Sequence, residues 1–255
     1  MGRSLNQNNI NFYNMHGWVV EKNIFSDGEI KNIKKEINSF LKENIKSYHG
    51  RDINFFNDVP DINTVNSFHR MDDCPFVKKL ALNSKIYDIS KKYLNSKKPD
   101  LRACELFAKP RLNGLPAPIH QDNFYWCVND ANALTVWLAL DETNEKNGGV
   151  FYYDGSHKYG IFEHVPSYAK GSSQKIKNSK TLKKYEISTP KLNIGDCVIH
   201  HCLTAHGSKE NKSKKNRRGL TFQFKSENSF YDDELKIIYE KSLNSQILRR
   251  NSNIK

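Results

Sequence analysis

The length, composition and charge of this sequence exclude several classes of protein. Its 255 residues are 37% hydrophobic, enough for the core of one large globular domain, which excludes an intrinsically disordered chain. The five cysteines are odd in number and contain no C-x-x-C pair, which excludes a disulfide framework and predicts reduced thiols in a soluble cytoplasmic protein. No apolar run reaches the roughly 18 residues of a membrane span, so we expect no membrane partner.

The excess of basic residues predicts an anionic partner. Lysine and arginine number 40 against 28 acidic residues, a formal net charge of +12, and they are densest in Lys175–Lys191 and Lys209–Arg218. Nucleic-acid binding would require exposed aromatic residues between the basic ones, whereas the aromatic residues here lie in alternating, strand-like patterns. We therefore expect a small anionic molecule rather than a nucleic acid. The sequence does not indicate an oligomeric state.

The first hundred residues predict one short strand and two supporting helices. The strand follows a turn at Gly17, and the first helix begins with the capping box Ser26-x-x-Glu29. Apolar residues then recur at helical spacing, namely Ile30, Ile33, Ile37, Phe40 and Leu41. A second helix is expected over Pro75–Leu94, and residues 49–66 are expected to be irregular.

From about Leu101 the sequence changes to short alternating segments that predict a β-domain. These segments are "LRACELFAKP", "ALTVWLAL", "GGVFYYDGSH", "KLNIGDCVIHH" and "RRGLTFQF". Turn signals separate them, which indicates a sandwich or barrel. We expect a single domain over residues 1–255, with helical support and the N-terminal strand in 1–100, the β-core in 101–226 and a helical tail in 227–255. The basic segment His164–Thr189 is expected to be a long loop or lid.

The stretch "PIHQDNFYW" (118–126) has an imidazole and a carboxylate two residues apart. If it is extended, His120 and Asp122 point to the same face, because side chains alternate along a strand. A third metal ligand must come from elsewhere, and His206, just past a later strand, is best placed. His200 and His201 are alternatives, of which at most one faces the interior. The other histidines lie in expected turns or loops and are given surface or capping roles: His16, His49, His69, His157 and His164.

Two imidazoles and one carboxylate form the facial triad of non-haem Fe(II) oxygenases, which leaves three positions for a bidentate co-substrate and O2. The far carboxylate of a 2-oxoacid co-substrate would need a cation. On the strand "RRGLTFQF", one face carries Arg217, Gly219, Thr221 and Gln223, and the other carries Arg218, Leu220, Phe222 and Phe224. The first face is typical of a cavity lining, which favours Arg217 as the clamp. The same alternation puts Thr135 and Trp137 on the cavity side of "ALTVWLAL".

The ordered set of motifs resembles the phytanoyl-CoA dioxygenase (PhyH) family of Fe(II)/2-oxoglutarate oxygenases. The matching pieces are "FAKP", "HQD", "TVWLALDETNEKNGGVFYYDGSHK", "GDCVIHH" and "HGSKENKSKKNRR". The resemblance implies a mainly β fold with flanking α-helices, a double-stranded β-helix (cupin-like jelly roll). It implies Fe(II) ligands at His120, Asp122 and His206, with Arg217 and Ser208 at the C5 carboxylate of 2-oxoglutarate. It further implies co-substrate contacts from Gln121, Trp137, Thr135 and Lys109.

The expected reaction is hydroxylation of a C–H bond of a small anionic metabolite, with 2-oxoglutarate and O2 converted to succinate and CO2 as the substrate is oxidised. Candidate substrate contacts, from strand alternation or adjacency, are Glu105, Phe107, Asn123, Tyr125, Trp126 and His201. Lys183 and Lys184 in the basic loop are expected to attract the substrate. Two alternatives stay open: a metal-dependent hydrolase that uses the same triad, and a non-catalytic basic jelly-roll binding module.

Overall fold

The computed structural model describes residues 7–57 and 59–252. Its helices are α1 (Gln7–His16), α2 (Asp27–Asn44), α3 (Pro75–Leu82), α4 (Lys85–Leu94), α5 (Asn123–Trp126) and α6 (Asp233–Ser252). Its strands are β1 (Trp18–Glu21), β2 (Ile53–Phe55), β3 (Val65–Phe68), β4 (Asp100–Lys109), β5 (Ala117–His120), β6 (Ala133–Ala139), β7 (Val150–Tyr153), β8 (His164–Ala169), β9 (Ser172–Ile176), β10 (Ile187–Ser188), β11 (Cys197–His201), β12 (His206–Ser208) and β13 (Arg217–Lys225). Within the described ranges, no helix has both the length and the apolar character needed to cross a membrane.

The strands form two facing antiparallel sheets and a separate hairpin. The larger sheet has the order β1-β11-β6-β13-β4-β3-β2, the smaller has the order β10-β7-β12-β5, and β8 pairs with β9. The inner faces of the two sheets contact each other at Trp18 and Tyr152, whose rings stack with their centroids 5.4 Å apart. The chain is therefore mainly β with flanking helices, and the space between the two sheets is where side chains from both can converge.

The outer face of the larger sheet packs against α2, α3 and α4. One buried apolar cluster includes Leu134, Val136, Leu138, Leu220, Phe222 and Phe224 from the sheet and Ile30, Ile33, Ile37, Val77, Ile86 and Ile89 from the helices. The predicted alternation of β6 and β13 is thereby confirmed. Each fully buried Leu, Ile or Phe contributes about 1.5–3 kcal/mol, so this layer holds the sheet with its aliphatic face outward and its polar face toward the interior.

The N-terminal elements agree with the sequence at the turn and at the first cap. Gly17 has φ +80°, a conformation that favours glycine, and β1 follows it. At the start of α2 the Ser26 side chain accepts from the Glu29 amide, and Glu29 Oε2 accepts from the Ser26 amide at 2.7 Å. Both halves of the predicted capping box are present.

Two expectations for the following region are wrong. The helix expected over Pro75–Leu94 is divided, because the chain leaves helical geometry at Asn83 and the Ser84 hydroxyl accepts from the Ile86 amide at 3.1 Å to begin α4. A serine hydroxyl competes with helix continuation in this way, and the apolar spacing alone does not reveal it. Residues 49–66, expected to be irregular, contain β2 and the start of β3.

The segment His164–Thr189 forms the β8–β9 hairpin, a 3-10 helix and β10 instead of the expected long loop. Helix α6 packs behind the hairpin: the Tyr168 amide donates to Gln246 Oε1 at 3.0 Å, and the Arg249 guanidinium lies 4.3 Å from the Tyr168 ring centroid. The two strands, HVPSYA and SSQKI, contain Pro, Ser, Gln and Lys, which have little strand propensity of their own. Packing against a distant helix stabilises them, which explains why the local sequence predicted a loop.

Candidate metal centre

Two histidines and one aspartate meet between the two sheets. His120 ends β5 and His206 begins β12, and these neighbouring strands pair the two residues directly. The Nε2 atoms of both rings lie 3.6 Å from Asp122 Oδ1. The three side chains form a group whose possible ligand atoms all lie within 4.8 Å of one another. A single divalent cation can be bound by ligands at this spacing.

The route by which Asp122 reaches this position differs from the expected one. The stretch 118–126 is not extended throughout, because β5 ends at His120 and Asp122 has helical angles (φ −58°, ψ −39°) at the start of α5. The Asn123 amide donates to the Cys202 carbonyl at 2.9 Å, which anchors the turn to the end of β11. A helical turn, rather than strand alternation, brings the carboxylate back toward the imidazole of His120.

Backbone carbonyl groups fix the orientation of both imidazoles. His120 Nδ1 lies 2.8 Å from the Pro118 carbonyl and His206 Nδ1 lies 2.9 Å from the Thr204 carbonyl. Because a carbonyl oxygen only accepts, each Nδ1 carries a proton, and in the neutral ring it is then the Nε2 lone pair that faces Asp122. Burial, reinforced by the neighbouring His120, lowers the pKa of His206 to about 3, so this ring is neutral at physiological pH.

The aspartate is held so that one oxygen remains for a metal. Burial disfavours its charged form, but the neighbouring imidazoles of His206, His120 and His200 hold the pKa of Asp122 well below its usual range. Asp122 Oδ2 accepts from the Thr135 hydroxyl at 2.8 Å and lies 3.0 Å from His200 Nε2. The Tyr152 hydroxyl lies 3.2 Å from His200 Nδ1 and orients that ring in turn. Oδ1 faces the Nε2 atoms of His120 and His206.

The sequence allowed His200 as an alternative third ligand, but the structure makes it a hydrogen-bond partner of the Asp122 carboxylate. We therefore expect removal of the His200 imidazole to weaken metal binding. Loss of a group that orients a metal ligand lowers metal affinity by roughly 10- to 100-fold. Titration of the His200→Asn variant with Fe(II) or Co(II) under anaerobic conditions measures the change. The matched control is His201→Asn, since His201 lies on the opposite face of β11 beside His157. Equal affinities for the two variants would contradict this assignment.

A second polar site lies where β13 begins. Arg217 is 1% exposed and lies opposite Lys109 of β4. Its Nε and Nη2 donate to the Gly148 carbonyl at 3.1 and 2.8 Å, whereas its buried Nη1 has no hydrogen-bond partner among the described residues. A buried donor without an acceptor is costly and is rare in folded proteins. The guanidinium is therefore arranged to bind an acceptor that the chain itself does not supply.

The neighbours of Arg217 reinforce the need for an anion. Lys109 is also buried, and burial together with the charge of Arg217 lowers the pKa of its ammonium group to about 6. The guanidinium carbon lies 5.4 Å from the centroid of Trp137. The indole lies directly on Gly219, where an added Cβ would be 1.8 Å from its Cζ2 atom. Two basic groups beside an aromatic wall fit a carboxylate.

The two consecutive arginines point to opposite faces, as the alternation predicted. Arg218 Nε and Nη2 donate to the Asp141 carboxylate at 2.8 and 3.0 Å on the outer side of the sheet. Ser208 is buried two residues after His206 on β12, and therefore on the same face as that ligand.

Three residues predicted to contact co-substrate or substrate have other contacts. The side-chain Nε2 of Gln121 donates to the carbonyls of Gly160 and Leu203. Its side-chain Oε1 accepts from the backbone amide of Phe162 at 2.7 Å. The side chain of Asn123 pairs with both backbone groups of Val128. His201 lies across β11 from His200, beside Tyr13. Strand alternation did not apply to the first two, because both lie at or beyond the end of β5.

The other predicted substrate contacts lie closer to the centre. The Tyr125 ring is edge-on to His120 with centroids 5.6 Å apart. Trp126 is buried with Val128 and Cys202. Glu105 and Phe107 lie on the inner side of β4, and both contact His69. Of these four, Tyr125 is the one in contact with a member of the triad.

The basic loop expected to attract the substrate lies behind the smaller sheet. Leu182, just before Lys183, is buried with Tyr153 and Ala205, whereas the inner face of β7 carries Tyr152. The Lys184 ammonium lies over the Tyr159 and Tyr185 rings. Because adjacent strand residues face opposite sides, Lys183 and Lys184 are separated from the group of His120, Asp122 and His206 by the sheet.

Two histidines given surface roles lie in the interior, where His164 is buried and His69 is half-buried. His164 is stacked on Phe124 with ring centroids 4.3 Å apart, and its Nε2 accepts from the backbone amide of Gln121 at 3.1 Å. His69 Nδ1 lies 2.9 Å from Glu105 Oε1. The sequence carried no local signal for either contact, because each depends on pairing with a residue more than thirty positions away.

Comparison with known proteins decides the family. The model of the phytanoyl-CoA dioxygenase (PhyH) family matches residues 13–219. The chain belongs to the phytanoyl-CoA dioxygenase family. A Caenorhabditis elegans relative, phytanoyl-CoA dioxygenase domain-containing protein 1 homolog, is 26% identical over 80% of this chain and 85% of its own length. The probable alpha-ketoglutarate-dependent hypophosphite dioxygenase of Stutzerimonas stutzeri is 32% identical over 56% of this chain and 51% of its own.

Solved structures agree with this family in fold. EctD from S. alaskensis, crystallised with bound Fe, superposes with a TM-score of 0.74 at 18% identity, over 91% of this chain and 81% of its own. The non-heme alpha ketoglutarate dependent carbocyclase SnoK superposes with a TM-score of 0.71 at 19% identity, over 89% and 87% of the two chains. The predicted family, the jelly-roll fold and the oxygenase class are thereby confirmed.

Proposed function

We propose that this family member is an Fe(II)- and 2-oxoglutarate-dependent hydroxylase that acts on a small anionic metabolite in the cytoplasm. The overall reaction converts a substrate C–H group, 2-oxoglutarate and O2 into an alcohol, succinate and CO2. The observation that carries the proposal is the presence, in one interior, of the His-Asp-His group and of Arg217, a buried arginine with one donor unpaired among the described residues. His120, Asp122 and His206 would hold the iron, which when bound supplies the activation of O2.

The protein groups have separate tasks in this proposal. Thr135 and His200 orient the Asp122 carboxylate through Oδ2, and Asp122, His120 and His206 would hold the metal. The Arg217 guanidinium, with Lys109, holds the far carboxylate of 2-oxoglutarate. A planar guanidinium can make two parallel hydrogen bonds to a carboxylate, which fixes the direction of the bound molecule. The other end of the bound 2-oxoglutarate is thereby directed along the inner face of β13 toward the triad.

The test of the proposed function is Fe(II)-dependent release of succinate from 2-oxoglutarate. We expect the purified protein, reconstituted anaerobically with Fe(II) and then exposed to O2, to form succinate, and to form more with its substrate. A hydrolase using the triad would ignore 2-oxoglutarate, and a binding module would neither bind it nor turn it over. Absence of both 2-oxoglutarate binding by calorimetry and Fe(II)-dependent succinate would overturn the proposal.

The affinity for 2-oxoglutarate is expected to fall as the pH rises above 6. The pKa of Lys109 in the free protein is about 6, so above that pH its amine is neutral, and binding of a carboxylate restores the ammonium and takes up a proton. Below pH 6 the group is already charged and the dependence flattens. Between pH 6 and about pH 8 the dissociation constant should rise by up to roughly tenfold per pH unit.

Calorimetric titrations at several pH values measure this slope. The Lys109→Met variant should bind weakly with little pH dependence, whereas Lys212→Met, an exposed lysine paired with Glu210, should keep the wild-type slope. A slope that persists in Lys109→Met would assign the proton to another group.

A further inference from the structure

A chain of hydrogen-bonded side chains crosses the inner face of the larger sheet beside the metal centre. It begins at Gln223 of β13, which lies directly opposite Thr135, the residue that bonds Asp122. Gln223 Nε2 donates to Glu105 Oε2 at 2.9 Å, and Glu105 Oε1 lies 2.9 Å from His69 Nδ1. We define the polar row as Arg102, Gln223, Glu105, His69, Ser67 and Asn54, all linked by hydrogen bonds.

Arg102 enters the polar row through an irregularity in β4. Gln223 and Phe224 are consecutive on β13, but their partners on β4 are two residues apart, so Arg102 between those partners is an extra residue. A bulge of this kind redirects a side chain. Here Arg102 Nη1 donates to Gln223 Oε1 at 3.1 Å, and its guanidinium carbon lies 5.1 Å from the Trp126 ring centroid. Trp126 is on α5, which begins directly after the ligand Asp122.

The guanidinium of Arg102 has an unfilled donor. Its Nε is buried and lacks a hydrogen-bond partner within the described part of the chain. The carboxylate of the row, Glu105, is already bonded by His69 and Gln223. An unsatisfied buried donor costs about 1–3 kcal/mol, and an anionic oxygen at this position would remove that cost. The feature is the same one that marks Arg217 at the other end of β13.

The hairpin closes over the far end of the polar row. A Cβ on Gly171, at the turn between β8 and β9, would lie 3.4 Å from Ser67 Oγ and 3.6 Å from Asn54 Cγ. With φ +76° and no side chain, Gly171 allows the hairpin backbone to contact the row directly. A molecule bound along the row is therefore enclosed from above.

The metal side of the row is also enclosed. Tyr125 connects the metal centre with the β8–β9 hairpin, because its ring contacts His120 and its hydroxyl lies 3.3 Å from Ser172 Oγ on the hairpin. Arg217 is at the start of β13 and Gln223 is near its end. The clamp for 2-oxoglutarate and the polar row thus approach the metal ligands from opposite ends of one strand.

Resting on the proposed function, we infer that the polar row binds the substrate, and that the substrate is a small polar anion. Arg102 holds its carboxylate, phosphonate or sulfonate group, and Glu105 accepts a hydrogen bond from a hydroxyl or ammonium group a few bonds away. An acyl chain laid along the row would offer no acceptor to the buried Arg102 Nε and would place methylene groups against polar side chains. We therefore expect a long-chain acyl thioester to bind weakly.

Binding of a panel of small molecules tests this inference. The anions are aminopropylphosphonate, hydroxybutyrate and hydroxypropanesulfonate, and the comparison compounds are aminopropanol, which lacks the anion, and octanoyl-pantetheine, an uncharged acyl thioester. Each is titrated anaerobically into the protein loaded with Fe(II) and 2-oxoglutarate, and tryptophan fluorescence reports contact with the site beside Trp126. We expect at least one anion to bind and both comparison compounds to bind more weakly.

The variants identify the residue responsible. Arg102→Gln should weaken binding of the anion by roughly 10- to 150-fold, and Arg102→Lys, which keeps the charge but loses the planar fork, should show an intermediate loss. Arg70→Gln is the matched control, because Arg70 is exposed and paired with Asp73. The affinity for 2-oxoglutarate should be the same in all four proteins, which verifies that each is folded.

Failure of this inference is distinguishable from failure of the proposed function. The inference is overturned if no anion of the panel binds, if Arg102→Gln binds the anion as tightly as the wild type, or if octanoyl-pantetheine binds more tightly than every anion, while Fe(II)-dependent succinate release stays intact. If succinate release and 2-oxoglutarate binding are both absent from the wild type, the proposed function is overturned instead, and with it the assignment of the row to a substrate.

Discussion

Replacing Asp122 with alanine is expected to abolish Fe(II) binding and 2-oxoglutarate turnover together. Asp122 is the carboxylate of the group, and its Oδ1 lies 3.6 Å from the Nε2 atoms of both histidines. Removing a group that merely orients a ligand lowers affinity by roughly 10- to 100-fold, so removing the ligand itself should exceed that range. The expected loss is at least about 100-fold in Fe(II) affinity, with succinate release reduced to background.

The variant should also be less stable without metal. His200 Nε2 and the Thr135 hydroxyl both bond Asp122 Oδ2 and would lose their buried acceptor. Each unsatisfied group costs about 1–3 kcal/mol, so a lower Tm is expected for the apo variant. Metal titrations are therefore made at a temperature where circular dichroism shows the variant to be folded.

The matched control is Asp130→Ala. Asp130 is an exposed aspartate that accepts from Ser229 and lies outside the metal group. This variant should keep wild-type Fe(II) affinity and turnover. If Asp122→Ala retained Fe(II) affinity within a few-fold of the control, the assignment of the triad would be wrong.

Replacing Arg217 with glutamine is expected to raise the KM for 2-oxoglutarate by about 100-fold while changing Fe(II) affinity little. Arg217 is buried and has an unfilled donor, so its bonds to a carboxylate are made away from water. Hydrogen bonds to charged groups contribute about 1.5–3 kcal/mol each, and the expected rise corresponds to losing one or two of them. Arg217→Lys should recover part of the affinity, since an ammonium group restores the charge without the paired geometry.

The adjacent residue is the control for this experiment. Arg218 is bonded to Asp141 on the outer face of the same strand. Arg218→Gln removes the same charge one position away and should leave the KM for 2-oxoglutarate unchanged, although it should lower the free energy of unfolding. Similar KM values for the two glutamine variants would show that neither arginine contacts the co-substrate.

The strand faces could be predicted from the sequence because alternation along a strand is a local property. Once "RRGLTFQF" is read as a strand, Arg217 and Arg218 must face opposite sides, and the apolar partners of Arg218 identify its side as the outer one. The same reasoning holds for Thr135 and Trp137 on β6. The cap at Ser26 was predictable for the same reason, since all of its contacts lie within four residues.

The orientation of the two consecutive histidines could not be decided locally. Alternation required His200 and His201 to face opposite sides, but the choice between them depends on the pairing of β11 with β1 and β6. That pairing directs His200 toward Asp122, where it bonds the carboxylate instead of serving as a metal ligand. The position of Asp122 itself depends on a helical turn anchored by the end of β11.

The sequence by itself determined the faces of β6 and β13 and the family, and it indicated His120, Asp122 and His206 as a group, because these depend on residue type, order and local periodicity. The tertiary structure alone decided which groups orient the carboxylate, that Lys183 and Lys184 lie behind the smaller sheet, and that Arg102 joins Glu105 and His69. Those features arise from strand register, a bulge and a hairpin packed on α6. Each of them depends on contacts between residues far apart in the chain, which no local pattern encodes.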